Sequence, residues 1–253
     1  MLRAGLVANA ALSGATRSSA GLVTELELQE LLSDCPTLFH MAQRGSWPSI
    51  KENGLLSTSA LLDAAGLRGI ARRRIESERR PKNVTIQGQL ESEVVIRDQK
   101  PMDDKGLLRC LQDGLTPAQW YRLLNHRVFF WLTRDRLNRL LSAGAYRQNE
   151  HDVLEVDTAS LVLQYRRAIT LCPMNSGCTK PMPHPRGRRT FSSIRNYPYS
   201  HWRSRRKFGE RVVELAVTDG VPDIYKFVRR VLVMKGTSVL STLWTATKSA
   251  RAK

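Results

Sequence analysis

Glu214 is the residue least in keeping with its neighbours. It interrupts the apolar run Val212–Val217 (VVELAV), and an ionised carboxylate turned toward a core is costly unless it is paired. Either it faces solvent at a strand edge, pairing with Arg97 or Arg211, or it sits beside a cleft where a fixed negative charge does chemistry. His40, between Phe39 and Met41, leaves a similar choice between a satisfied half-buried imidazole and one that contacts a ligand. Ser57 and Ser59 in GLLSTS either line a pocket or carry hydroxyls on the solvent side of a strand. The pairs Asp103–Asp104 and Glu76 with Glu78 read as surface charge.

A second kind of chemistry is concentrated in one loop. Between Lys180 and Arg211 there are ten Lys/Arg and a single acid, Glu210, interleaved with Phe191, Tyr197, Tyr199 and Trp202. Basic residues neutralise phosphates, and exposed aromatic faces stack unpaired bases. The loop is either such a surface or a solvated charged segment whose aromatics tuck onto the core.

The elements that must position these residues follow from periodicity. Leu38–Met41, Val84–Gln87, Glu93–Arg97, Val128–Leu132, Asp152–Val156, Ala168–Cys172, Arg211–Val217 and Arg230–Met234 have strand character. Glu25–Leu32, Trp47–Glu52, Ala60–Ala65, the basic stretch before Pro81, Leu107–Gln112, Pro117–Leu124, Arg134–Ala143, Thr158–Tyr165 and Ile224–Val228 read as helices. Thr116 is an N-cap with Pro117 at the first helical position. Residues 173–207 have little periodicity and are too long for an ordinary connection.

Composition bounds the class. A hydrophobic fraction of 42% with 25% charged residues is that of a globular protein, so disorder is not the default. The net charge of +17 points to a polyanionic partner. No apolar run reaches the roughly 18–20 residues that cross a bilayer. The chain reads as soluble, cytoplasmic and monomeric. Cys35, Cys110, Cys172 and Cys178 show no CxxC or metal-ligand spacing, and the expectation is reduced thiols with no metal. Residues 1–22 read as a disordered leader, 23–236 as one domain and 237–253 as a basic tail without a partner. Phosphate-loop, dinucleotide-fold, zinc-protease and serine-hydrolase signatures are absent from the sequence.

Taken in order, several segments resemble the ADP-ribosyltransferase fold, most closely in its DarT-type, DNA-modifying form. LFHM (38–41), followed by Trp47, Ile50 and GLLS, is similar to the opening histidine strand, short helix and glycine-leucine turn. RVFFWLTRDRLNRLL (127–141) resembles the mid-domain aromatic strand. RVVELAVTDGVPDIYKFVRRVLV (211–233) resembles the catalytic strand, proline-led turn and closing strand. The IRDQKPM (96–102) and NSG (175–177) stretches also resemble an uncharacterised bacterial domain family.

The resemblance implies an α+β fold of two packed small sheets with flanking helices. It implies NAD as cofactor, bound by His40, Arg97 and Ser57, with Glu214 as the catalytic glutamate. Ser57, Thr58 and Ser59 resemble the serine motif of arginine-type transferases, but a histidine replaces that class's first-strand arginine. The loop before Glu214, with Arg195, Tyr197, Tyr199, Trp202, Arg203, Arg205 and Arg206, becomes the target loop. A nucleic acid is then the target, and an antitoxin or immunity protein is a possible partner. The alternatives are a non-catalytic basic nucleic-acid-binding module, an NAD glycohydrolase, or a transferase of the same fold acting on protein.

Overall fold

The computed structural model describes residues 23–247; the expected leader, residues 1–22, lies outside them. Helix α1 (Glu25–Asp34) leads into β1 (Thr37–Gln43), α2 (Trp47–Asn53), β2 (Leu55–Leu56) and α3 (Thr58–Ala64). Then come α4 (Gly69–Ser77), β3 (Val84–Ile86), β4 (Val94–Ile96), α5 (Asp104–Cys110) and α6 (Pro117–Asn125). They are followed by β5 (Arg127–Trp131), α7 (Arg134–Leu141), β6 (Glu150–Asp157), α8 (Thr158–Tyr165) and β7 (Ile169–Cys172). The long loop contains β8 (Ser192–Ser193) and α9 (Tyr199–Arg203). The described chain closes with β9 (Glu214–Thr218), β10 (Gly220–Val221), β11 (Val228–Lys235) and β12 (Ser238–Thr245).

Local chemistry sets the helix starts. Thr24 and Thr116 each accept from the backbone three residues on, while Glu27 and Gln119 reach back to the cap N–H. These are reciprocal capping boxes, and Pro117 fills the position where no N–H is needed. Thr133 caps α7 in the simpler way.

The fold is α+β. The strands form an eight-stranded antiparallel sheet in the order β12-β11-β6-β1-β5-β9-β7-β8, with two-stranded pairs β2–β10 and β3–β4 beside it. The expectation of two small packed sheets is corrected here, because β1 and β5 join the two halves. That joint is narrow: β1 is registered with β6 along its whole length but with β5 only at Phe39↔Trp131. On one side of the sheet Leu38, Val128, Val156 and Leu215 pack with Leu28, Leu31 and Leu161 of α1 and α8. On the other, Phe39, Met41, Val153 and Leu232 pack with Leu137 and Leu141 of α7. The alternation along β1 is the period of two that a strand buried on both faces requires.

The segment after Lys235 also differs from its sequence reading. Residues 238–245 pair with β11 as the edge strand β12, and Trp244 packs against Trp47 at 5.2 Å between ring centroids. Its eight residues are almost all exposed, which is why no periodic burial signal marks it.

Candidate functional site

A cavity of about 670 Å³ opens where the two half-sheets diverge, and His40, Ser57, Arg97 and Glu214 all line it. The register explains the convergence. Phe39, Trp131, Glu214 and Cys172 stand in one transverse row across β1, β5, β9 and β7. His40 is one residue beyond Phe39, at the point where β1 loses its partner on β5.

His40 is half-buried, and its Nδ1 lies 2.9 Å from the carbonyl oxygen of Phe129. A carbonyl accepts only, so Nδ1 carries the proton and Nε2 is left as an acceptor. Burial pushes the imidazole down to about 4, which keeps the ring neutral at neutral pH.

Ser57 is buried and caps α3, its Oγ accepting from Ala60 N at 3.2 Å. That leaves its hydroxyl proton free to donate. The wall that carries it is held by two glycines. A Cβ on Gly54 would stand 2.5 Å from the Pro222 Cα, and one on Gly220 2.6 Å from the Leu55 oxygen. Both have positive φ, 87° and 125°, so only glycine lets β2 approach the turn that follows Glu214.

Arg97 donates to the Met41 carbonyl at 3.0 Å and lies 5.1 Å over the Tyr146 ring. Tyr146 is fixed in turn by Asp98, 2.8 Å from its hydroxyl. Burial lowers the guanidinium's proton affinity. Arg80, buried with no carboxylate in ion-pair contact among the described residues, donates to the Arg97 carbonyl at 3.1 Å and to Asn125 Oδ1 at 2.9 Å, and it also reaches the Ile75 carbonyl. Burial brings it down to about 10. It knits α4, β4 and α6 into one cavity wall.

Glu214 is 3% exposed and pairs with neither Arg97 nor Arg211. Arg211 is engaged by Glu30 and Asp34 instead. The carboxylate accepts from the backbone N–H of Ser176, at 3.2 Å to Oε1 and 3.1 Å to Oε2. Burial pushes it up to about 7, against hydrogen bonds from Ser176 and Cys172 and the positive charge of Arg186.

Arg186 is the residue that sequence reasoning missed. It is almost fully buried and donates to Ser176 O at 2.9 Å, Cys178 O at 2.8 Å and His184 O at 3.1 Å. It therefore holds the turn whose Ser176 N–H caps Glu214. Asn175, Ser176 and Gly177 line the cavity, so the NSG stretch carries part of the site. In sequence Arg186 is one arginine among ten basic residues; nothing marks it as the buried one.

The loop reading is corrected. Tyr197 and Tyr199 are buried, Phe191 is nearly so, and Trp202 packs on the same core, so none offers a face to a base. Arg203 is bound by Glu30. Arg206 lies 3.9 Å over Trp202 and donates to Pro173 O at 2.5 Å. Among the described residues Arg205 bonds only within its own turn, to His201 and Ser204. Arg195 is exposed, with its carbonyl accepting from Val23 N. Acids on α1 hold Arg203 and Arg211, and none of Arg195, Tyr197, Tyr199, Trp202, Arg203, Arg205 or Arg206 lines the cavity.

Among the described residues no group of His, Cys, Asp and Glu is arranged to hold a metal ion, and no helix is long and apolar enough to cross a membrane. The four cysteines are free, three of them buried.

The profile of DUF7002, a family of unknown function, matches residues 36–228. The chain belongs to DUF7002. The DUF7002 match runs from just before β1 to the first residue of β11. It contains His40, Ser57, Arg97, Ser176, Arg186 and Glu214, and leaves α1, β12 and all but the first residue of β11 outside. No curated protein matches the chain.

Proposed function

We propose that this DUF7002 protein is a mono-ADP-ribosyltransferase that uses NAD and modifies a nucleic acid, as a toxin or defence enzyme does. The observation that carries the reading is the convergence of His40 and Glu214, far apart in sequence, on one cavity beside a single-pair joint between half-sheets.

The cavity suits a ligand of this class. Its volume lies inside the roughly 300–1,000 Å³ typical of small-molecule and cofactor sites. Neutral His40 offers Nε2 as an acceptor for a ribose hydroxyl, Ser57 a free hydroxyl proton, and Arg97 a guanidinium for a pyrophosphate. NAD supplies a nicotinamide–ribose bond whose cleavage develops positive charge on the ribose, as glycoside hydrolysis does.

Glu214 is the group that meets that charge. Its carboxylate is held in place by Ser176 before any substrate arrives, so no reorganisation accompanies the appearance of the cation. Burial strengthens the interaction by excluding water. Ionised Glu214 is the active form, and burial sets its protonation near neutrality rather than far below it.

The target class rests on the charge surplus of +17. Incubation with NAD and either DNA, RNA or protein acceptors, followed by measurement of nicotinamide release and of mass added to the acceptor, tests the reading. NAD bound and consumed with mass gained by a nucleic acid is the expected result. Folded protein that neither binds nor consumes NAD would leave a non-catalytic binding module. Mass gained by protein alone would move the target class.

A further inference from the structure

Helix α6 has two sides with different chemistry. Leu124 and Asn125 line the large cavity. Gln119, Arg122, Leu123 and His126 face a second hollow of about 180 Å³, closed by Leu115 and by Arg188 from the long loop. Leucines provide an apolar floor. The rim is two guanidiniums, a carboxamide and the imidazole of His126, which Glu76 and Asp219 flank at 3.9 and 3.6 Å.

Neither arginine is spoken for. Arg122 donates through Nε to Ser77 Oγ at 2.8 Å, and its terminal nitrogens have no acceptor among the described residues. Arg188 is held through its backbone N–H by Asp113 at 2.9 Å, while its side chain has no partner among the described residues. No Asp or Glu occurs in residues 1–22 or 248–253. Two like charges facing one hollow repel unless an anion lies between them. The basic margin continues on both sides. Arg73, one helical turn before Ser77, and Arg189, next to Arg188, are exposed and make no ion pair among the described residues. This contrasts with Arg203, Arg206 and Arg211, which the fold has already engaged.

We infer that Arg122 and Arg188, with Gln119, form a phosphate-binding pocket on the outer side of α6. The guanidinium fork matches the geometry of phosphate oxygens, and charge-assisted bonds to it are the strong ones. The hollow has the liquid volume of roughly six waters, room for a phosphate with part of its sugar. Because the same helical turn lines the cavity, the phosphate it grips belongs to the backbone of a nucleic acid whose neighbouring nucleotide enters the cavity. That last step rests on the transferase reading; phosphate binding does not.

The test uses the full chain and three probes: inorganic phosphate, a fluorescent single-stranded oligonucleotide and its duplex. Side-chain arginine resonances report phosphate, and anisotropy against salt reports the oligonucleotides. R122Q/R188Q and R122E/R188E are compared with R203E/R205E, and melting temperature confirms that each is folded. We expect phosphate to move the Arg122 and Arg188 signals. The R122E/R188E protein should bind oligonucleotide about tenfold or more weakly, with a salt slope shallower by about 0.7–0.9 per lost phosphate contact. R203E/R205E should keep the slope.

NAD consumption is measured on the same preparations apart from phosphate binding, so the pocket and the transferase reading fail separately. Phosphate shifts with oligonucleotide binding untouched would keep the pocket and assign it to a small phosphorylated ligand. No phosphate shift and unchanged slopes would overturn the inference, as would binding to phosphatidylserine vesicles that depends on these arginines while oligonucleotides fail to bind.

Discussion

The backbone N–H of Ser176 bridges both carboxylate oxygens of Glu214, at 3.2 and 3.1 Å. One donor shared between two oxygens holds the carboxylate's plane and rotation without neutralising it. No arginine or lysine forms an ion pair with Glu214 among the described residues. Its charge is thus buried, oriented and available, and that combination fixes how substitutions around it should behave.

Glu214→Gln keeps the shape and removes the charge. Losing one preorganised electrostatic contact costs about 10²–10³ in rate, and nicotinamide release should fall by that much. NAD affinity should change far less, because the lost interaction strengthens mainly in the transition state. Stability should move the other way. Burial raises the group from 4.5 to about 7, so its contribution is full below the unfolded value and is lost as pH rises through about 7. Glutamine escapes that loss, and at about 1.4 kcal/mol per tenfold change in proton affinity the ceiling is ~3 kcal/mol. The variant's melting temperature should match or exceed the wild type's above neutrality. A variant that melts lower at every pH, with activity proportionate to the folded fraction, would remove Glu214 from catalysis.

Wild-type turnover should rise with pH around an inflection near 7, and Arg186 should set where that inflection falls. Arg186→Lys cannot span the carbonyls of Ser176, Cys178 and His184 at once, and the two residues are not equivalent at such a site. The turn should loosen and the Ser176 bond to Glu214 weaken, moving the acid limb to higher pH. Each hydrogen bond to a charged group is worth about 1.5–3 kcal/mol, so the protein should also melt lower. A purely structural role lowers the melt and leaves the inflection in place. Carboxyl carbon NMR of Glu214 reads the same quantity without relying on turnover.

His40 titrates in the opposite sense. Its folded value is depressed to about 4 from 6.5, so its contribution to stability is present above 6.5 and is lost as pH falls through about 4. His40→Gln should narrow the difference in melting temperature between neutral and acidic buffer. On the transferase reading it should also raise KM for NAD more than it lowers kcat, the pattern of lost uniform binding. An unchanged acid melt would show that the imidazole is not held neutral by its burial against Phe129.

Much of the site was legible in sequence because its carriers contradict their surroundings. A glutamate inside VVELAV and a histidine inside LFHM break strand periodicity, and both line the cavity. Thr116 with Pro117 announced α6 by cap chemistry alone. What could not be read was which strands neighbour which: one registered pair, Phe39↔Trp131, decides between two sheets and one, and periodicity carries no register. Nor does composition say which side of a basic loop is inward. Arg186 and Arg188 are two residues apart, one buried beneath the Glu214 turn and the other exposed. Tyr197 and Tyr199 among arginines look like a stacking surface until the fold buries them in the core that Leu28 and Leu31 also enter.

Arg205 and Arg206 therefore make the sharpest comparison in that loop. Arg206 lies 3.9 Å over Trp202 and donates to the carbonyl of Pro173, the residue after Cys172, which pairs with Glu214 across β7 and β9. Removing it deletes a cation–π contact worth about 0.5–2 kcal/mol and a charge-assisted bond, and frees the start of the segment that carries Ser176. Arg206→Ala should lower the melting temperature and, through that segment, turnover. Arg205 is exposed and, among the described residues, bonds only inside its own turn, so Arg205→Ala should stay within about 0.5 kcal/mol of the wild type. A loop built to grip phosphates behaves otherwise: both changes leave the melt alone and weaken oligonucleotide binding equally, each with a shallower salt slope. Melting curves and salt-dependent anisotropy on the two variants separate these outcomes. Equal losses of affinity at unchanged stability would return the loop to the target surface that its composition suggests.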